Sequence, residues 1–310
     1  MSPSSSSSSE QVPAGYRFRP ATAADVTAVH RLVAACEYEL HGRVSTGPDR
    51  VAADLAPPGP DLKSDTLLVH DSTGELAAWG RVKGRRSTVH VHPRHTGRRL
   101  GSWLLDWAEE RARWQGSDRL AQTVADNHHA AIALLGARGY SPLVTEWLLE
   151  IATPVEPEVP EPPAGITVRS FRAGDARAAY RLTEDAFDEW QQRRKTYAEW
   201  AGHTVRRATF APAASPVAFR GDEMVGAVLS LDLPGEGEGR IERVAVRRDQ
   251  RNRGLARMLL REAFRAFHEQ GKQGCTLWTH SDTGALALYE RIGMTVRRSS
   301  TVYSRKLATG

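Results

Sequence analysis

Val244-Ala245-Val246-Arg247-Arg248-Asp249-Gln250-Arg251-Asn252-Arg253-Gly254-Leu255-Ala256 reads as a buried strand that ends in a polar turn and continues as a helix. Small and branched apolar residues make the strand, and the apolar spacing that starts at Leu255 makes the helix. The first N–H groups of such a helix have no partner inside it. With the positive end of the helix dipole they form an anion site. Gly254 lets the backbone approach a ligand without a Cβ in the way, and Ala256 keeps the next turn small. Arg247, Arg248, Arg251, Arg253 and Arg257 stand nearby as further phosphate donors. The Gly-Lys-Ser/Thr ending of a Walker-type loop is absent. Read in isolation, the same stretch is equally an arginine-rich, solvated turn that caps a helix.

Working outward, the chain repeats itself. Each half opens with a short strand, Tyr16–Arg19 or Ile166–Arg169, and then a helix with an early acid, Asp25 or Asp175. Each continues with a β-type run, an arginine-rich turn and a helix: Thr88–His92 then Leu100–Arg113, and Ile241–Val246 then Leu255–Glu269. A further strand and a second helix follow, closing at Gly139-Tyr140 and Gly293-Met294. Leu100, Trp103, Leu104, Trp107 and Ala108 make one apolar helix face, and Ala285, Leu288, Tyr289 and Ile292 make another. The expected fold class is therefore α/β, an α+β mixed sheet flanked by helices in each of two tandem domains. The run Thr153–Gly165 (TPVEPEVPEPPAG) reads as a semi-rigid linker. Ser4–Ser9 cannot bury a core and reads as a disordered tail. The expected division is a tail over 1–14, a first domain over 15–152, a linker over 153–165 and a second domain over 166–310.

Composition narrows the function. At 310 residues, with 40% apolar and 25% charged residues, the chain fits two globular domains. No apolar run reaches the roughly 20 residues that span a bilayer, so no membrane association is expected. Two widely separated cysteines, Cys36 and Cys275, fit a reducing compartment and a cytoplasmic protein, with Cys275 a small buried hydrophobe. The net charge of +5 fits an anionic partner. No stacking motif, zinc-finger spacing or basic heptad helix points to nucleic acid. His90, His92, His95, His128 and His129 lack cysteine or glutamate ligands at metal spacing, so solvated histidines and no metal are expected.

The pattern Arg251-x-x-Gly254-x-Ala256, after Val-Ala-Val and before Leu259-Leu260, resembles motif A of the GNAT acetyltransferase superfamily. Asp282-Thr-Gly-Ala285-Leu-Ala-Leu288-Tyr289-Glu-Arg-Ile-Gly293-Met294 resembles that family's second motif, in the family's order. The likeness covers most of the second half and, more weakly, the first, as in the tandem acetyltransferases of actinobacteria. It implies an acetyl-CoA-dependent N-acetyltransferase whose acceptor is a small-molecule or peptide amine. By resemblance, the amides of Arg251, Asn252, Arg253, Gly254, Leu255 and Ala256, with Arg257, hold the pyrophosphate, and the backbone of Val244, Ala245 and Val246 holds the pantetheine arm. The resemblance places Tyr289 near the sulfur as acid. Glu242, where the family often carries an acid, is the candidate base. His280 is a polar residue at the acceptor end, and Asp282 stands where relatives often have Asn.

The first half departs from this pattern. With Leu104-Leu105 on Leu259-Leu260, Thr96 falls on Arg251, Arg99 on Gly254 and Gly101 on Ala256, while Leu135 falls on Tyr289. A long side chain at 99 is expected to obstruct the amide cradle, and leucine cannot donate a proton. The expectation is one silent and one active domain; the rival is that the Arg99 guanidinium replaces the lost amides. A mycothiol-synthase-like acetylation of an amino-sugar-linked cysteine and a non-catalytic coenzyme A sensor stand as alternatives. A monomer or a homodimer is compatible with two units in one chain.

Overall fold

The computed structural model describes residues 12–55, 61–188, 193–233, 235 and 237–308. The serine run Ser4–Ser9, and with it most of the tail expected over 1–14, lies outside them. The chain forms two compact units: one takes the chain up to Thr145 and again from Ser300, the other is Glu146–Ser299.

In the first unit, strand β1 (Arg17–Arg19) precedes helices α1 (Val26–His41), α2 (Pro48–Leu55) and α3 (Leu62–Asp65). Strands β2 (Thr66–His70), β3 (Leu76–Lys83) and β4 (Arg86–Val91) follow, then α4 (Leu100–Trp114), β5 (Arg119–Ala125), α5 (His129–Ala137) and β6 (Ser141–Ala152). The second unit runs β7 (Thr167–Ser170), α6 (Ala176–Phe187), α7 (Tyr197–His203), β8 (Pro216–Arg220), β9 (Glu223–Asp232) and β10 (Glu238–Val246). It continues with α8 (Leu255–Glu269), β11 (Gly274–His280) and α9 (Leu286–Ile292), and the chain ends in β12 (Thr295–Lys306).

The sheet of the first unit has the order β1-β2-β3-β4-β5-β12, and that of the second β7-β8-β9-β10-β11-β6. Within each, neighbours are antiparallel except one central pair, β4/β5 or β10/β11, which is parallel. The closing strand of each sheet comes from the other half of the sequence. Ser300–Lys306 of β12 pairs with β5, and Glu146–Ala152 of β6 pairs with β11. The proline-rich segment 153–165 belongs to the second unit, where Val159 packs on the core and the Thr153 carbonyl meets His268 Nδ1 at 2.9 Å.

The early acids of the two halves do the same structural work. Arg19 and Arg169 each grip an aspartate, Asp25 or Asp175, through both carboxylate oxygens at 2.6–2.9 Å. That carboxylate also accepts from the N–H of Thr22 or Arg172, which anchors the first helix of each unit.

Helix α8 fixes the geometry of the second unit. Its stripe of Leu255, Met258, Leu259, Ala263 and Phe267 is buried on the sheet, at about 1.5–3 kcal/mol for each large side chain. The helix lies so close that a Cβ at Gly239 would sit 2.3 Å from the Phe267 ring, and one at Gly226 would sit 2.8 Å from Leu259 Cδ1. Two glycines thus set the helix height and hold its first turn over the end of β10. On the opposite face, α6 and α7 cover a second cluster that includes Trp200, Leu229 and Ala245. No described helix is long and apolar enough to cross a membrane.

Candidate active site

Strands β10 and β11 pair from Glu238↔Gly274 to Ile241↔Leu277 and then part. β10 stays on β9 as far as Val246, and β11 stays on β6 as far as His280, so the sheet opens as a wedge between them. At the apex the β9–β10 register slips between Ile241 and Arg243, which makes Glu242 an extra residue on its strand. Such a bulge re-aims a side chain out of the normal alternation. The wedge is a cleft of about 690 Å³, lined by Glu242 to Val246 of β10 and Leu277 to His280 of β11.

The turn of the opening sequence closes one end of the cleft. Gly254 caps α8 with φ +79°, and Asn252 also has positive φ, +61°. Gly254 is thus needed for its left-handed backbone, and a Cβ there would point into open space. Met258 N–H donates to the Gly254 carbonyl at 3.0 Å, so the amides before Met258 stand outside the helix ladder. Arg251, Asn252, Gly254, Leu255, Ala256 and Arg257 line the cleft; Arg253 is exposed and does not. The arginines of the turn divide in use. Arg247 is bound by Asp249 (2.6 Å) and Glu223 (2.5 Å), and Arg251 Nε donates to the Val246 carbonyl at 3.2 Å. Both therefore brace the turn, while Arg257 is exposed at the cleft edge.

Tyr289 of α9 lines the wall of the cleft and is 7% exposed. Burial pushes its phenol up to about 12, so it holds its proton throughout the neutral range. Glu242 faces Arg207 at 3.8 Å, with about a third of each side chain exposed. A pair that exposed binds weakly and leaves the carboxylate available.

Sequence reasoning missed part of the lining. Phe187 at the end of α6, Arg243 beside the bulge and Trp278 of β11 all face the cleft, joined by His280, which the sequence already sets at the acceptor end. Arg243 lies within the quoted strand but reads there as one more surface cation. Asp282 is exposed and does not line the cleft. Cys275 is buried in the core, which pushes its thiol up to about 12 and makes it a poor nucleophile.

The first unit copies the path. β4 and β5 pair only at Arg86↔Ala121 and Ser87↔Gln122 before parting. The helix ends also correspond: Tyr140 N–H meets the Leu135 carbonyl as Met294 N–H meets the Tyr289 carbonyl, both at 3.0 Å. The β3–β4 register, however, is continuous from Ala78↔Val91 to Lys83↔Arg86, so there is no bulge and no counterpart of Glu242. The histidines here are not simply solvated. Burial pushes His90 down to about 4, His95 Nδ1 meets Tyr16 Oη at 2.9 Å, and His92 Nδ1 accepts from the Arg94 N–H at 3.2 Å. Among the described residues no group of three or more His, Cys, Asp or Glu side chains could hold a metal ion.

A wedge between two central parallel strands, with a helix entered through a left-handed cap residue at its mouth, Arg99 in one half and Gly254 in the other, occurs twice, and so does the family match. The model of the Acetyltransferase (GNAT) family fits residues 31–140 and 177–294. The chain belongs to this family. This GNAT chain is similar to proteins named mycothiol acetyltransferase. It is 26% identical to one from Catenulispora acidiphila, over 82% of this chain and 80% of the relative, and 28% identical to one from Streptomyces scabiei, over 72% of each. Among solved structures, the GCN5-related N-acetyltransferase from Sphaerobacter thermophilus superposes with a TM-score of 0.79 at 31% identity, over 97% of this chain and 98% of that one. A tandem GNAT protein from the clavulanic acid biosynthesis pathway, 18% identical, shares the fold with a TM-score of 0.68 over 95% of this chain and 99% of that one. The tandem GNAT architecture expected from the repeat is therefore the architecture of this acetyltransferase.

Proposed function

We propose that the cleft of the second unit binds acetyl-CoA and transfers its acetyl group to a primary amine by direct attack, and that the first unit is catalytically silent. The observation that carries this reading is the coincidence of three features in one wedge. They are a helix start with amides outside the ladder, a strand edge released from pairing, and two proton-handling side chains, Tyr289 and Glu242.

The donor set fits the ligand. Amides from Arg251 to Ala256, with Arg257 at the rim, suit a pyrophosphate. The edge of Val244, Ala245 and Val246 that faces β11 has no ladder partner beyond Ile241↔Leu277 and suits an amide-bearing arm. When bound, the thioester supplies the acetyl group, the C–N bond forming as the C–S bond breaks. Backbone donors of β10 are placed to polarise the carbonyl. Glu242 accepts the proton that the amine loses, directly or through water. Tyr289, neutral by burial, gives its proton to the leaving thiolate.

The test is to incubate the pure protein with acetyl-CoA and a library of amines while following free thiol. Thiol release that depends on an amine supports the enzyme. Cofactor binding without release for any amine favours a sensor. The relatives named mycothiol acetyltransferase support a second reading, in which the acceptor is an amino-sugar-linked cysteine. That compound belongs in the same library.

A further inference from the structure

The two edges of the wedge present one sheet face toward α6. On β11, Cys275 and Leu277 pack into the α8-side core, so Trp278 and His280 project to the other face. On β10, Ala245 belongs to the α6-side cluster, and Arg243, two residues earlier, shares its face. Phe187 closes this side from the end of α6.

Arg243 is the unusual member. Its guanidinium lies over the Phe187 ring, 5.7 Å from the centroid, and its Nε is buried without a hydrogen-bond partner among the described residues. A guanidinium keeps its charge at any working pH, and an aromatic face gives it no acceptor. The neighbouring carboxylate, Glu242, is faced instead by Arg207. A second cation borders the same region, since Arg298 lies over Trp278 at 5.3 Å. Among the described residues that line the cleft, Glu242 is the one carboxylate against Arg243, Arg251, Arg257 and Arg291, so a bare ammonium meets a cationic surround. An acceptor that brings its own anion does not.

We infer that this acetyltransferase selects an amine carrying a carboxylate, which pairs with Arg243 while the amino group lies beside Glu242. The inference rests on the reading of the cleft given above. It makes Arg243 a specificity-determining residue, and a fork-to-fork pair would supply the acceptor its Nε lacks.

The test compares ω-amino acids (glycine, β-alanine, γ-aminobutyrate) with their primary amides, in the parent protein and in Arg243→Gln and Arg243→Lys. In the parent, kcat/KM for the best acid should exceed that for its amide at least about tenfold, as for a charged hydrogen bond. Arg243→Gln should bring the two within about twofold by raising KM for the acid, and Arg243→Lys should recover part of the preference. Equal or better turnover of the amides in the parent, or an equal loss for both classes in Arg243→Gln, overturns the inference. If no amine of either class releases thiol, the functional reading is at fault. Calorimetry with γ-aminobutyrate and its amide, in the presence of coenzyme A, then judges Arg243 alone. Binding of the acid that Arg243→Gln abolishes upholds the anionic subsite, and the lack of any such difference refutes it.

Discussion

The turns Thr96–Gly101 and Arg251–Ala256 follow one backbone path with glycine in opposite places. In the first, Gly97 has φ +74° and Arg99 +65°; in the second, Asn252 has +61° and Gly254 +79°. Both turns hand the chain to a long helix whose first residue, Leu100 or Leu255, is buried in its unit's core. Packing of the flanking strand and helix fixes the path, and it does so strongly enough to hold an arginine in the left-handed region. Loss of the glycine therefore did not collapse the loop; it changed what stands at the mouth. Three of the differences between the units bear on the chemistry: Arg99 against Gly254, Leu135 against Tyr289, and a flush strand against the bulge at Glu242. Backbone is shared, and the difference resides in side chains and one inserted residue.

The largest way to break the comparison is to cut the chain at the linker. Residues 166–310 alone lack Glu146–Ala152, which pairs with β11 and brings Leu149, Trp147 and Ile151 to the core of the second unit. We expect this fragment to lose its cooperative thermal transition. Residues 146–299 should retain one, and the reverse result in circular dichroism melts would show that the exchanged strands are dispensable.

Next in size is Gly254→Arg, which gives the second turn the residue of the first. Acetyl-CoA affinity should fall at least about tenfold as the side chain enters the mouth, on top of about 1–2 kcal/mol for a left-handed non-glycine residue. Titration calorimetry should also find one cofactor per parent chain. Two per chain would mean that Arg99 serves as a phosphate ligand and that the first unit is not silent.

Tyr289→Phe should lower kcat by roughly 10²-fold with little change in acetyl-CoA affinity, the size usual for a lost general acid. A matched fall in affinity would make Tyr289 a packing residue. The pH dependence has a definite sign. The phenol titrates near 10 in an unfolded chain and is raised to about 12 here, so its contribution to stability is complete below pH 10 and lost between pH 10 and 12. Denaturant midpoints over that interval should fall more steeply for the parent than for Tyr289→Phe. The smallest effect is expected of Arg99→Gly, which relieves a left-handed arginine and should stabilise the chain by about 1 kcal/mol in chemical denaturation.

Local features were legible in the sequence because their causes are local. The helix Leu255–Glu269 announces itself by its stripe, and the turn before it by Gly254. The repeat placed equivalent elements in both halves and hence the mixed sheets. What escaped depends on partners far along the chain. Nothing near Glu242 marks it as a bulge, because a bulge is a relation to β9. Arg243 looks like any surface cation until α6 brings Phe187 over it. The proline run 153–165 looks like a divider, yet the strands on either side of the repeat are traded between units, which only pairing partners reveal.

That trade sets a timetable for biosynthesis. The strand that covers β5 is Ser300–Lys306, made only after the whole of Glu146–Ser299. Until Ser300–Lys306 has been made, the first unit has the other described strands of its sheet but an uncovered edge along Arg119–Ala125. An open edge of that kind invites pairing with another chain. The earlier half of the protein is thus the later one to be finished. A ribosome that stalls before residue 300 releases a nascent chain whose exposed β5 is the place for a chaperone, or an aggregate, to begin.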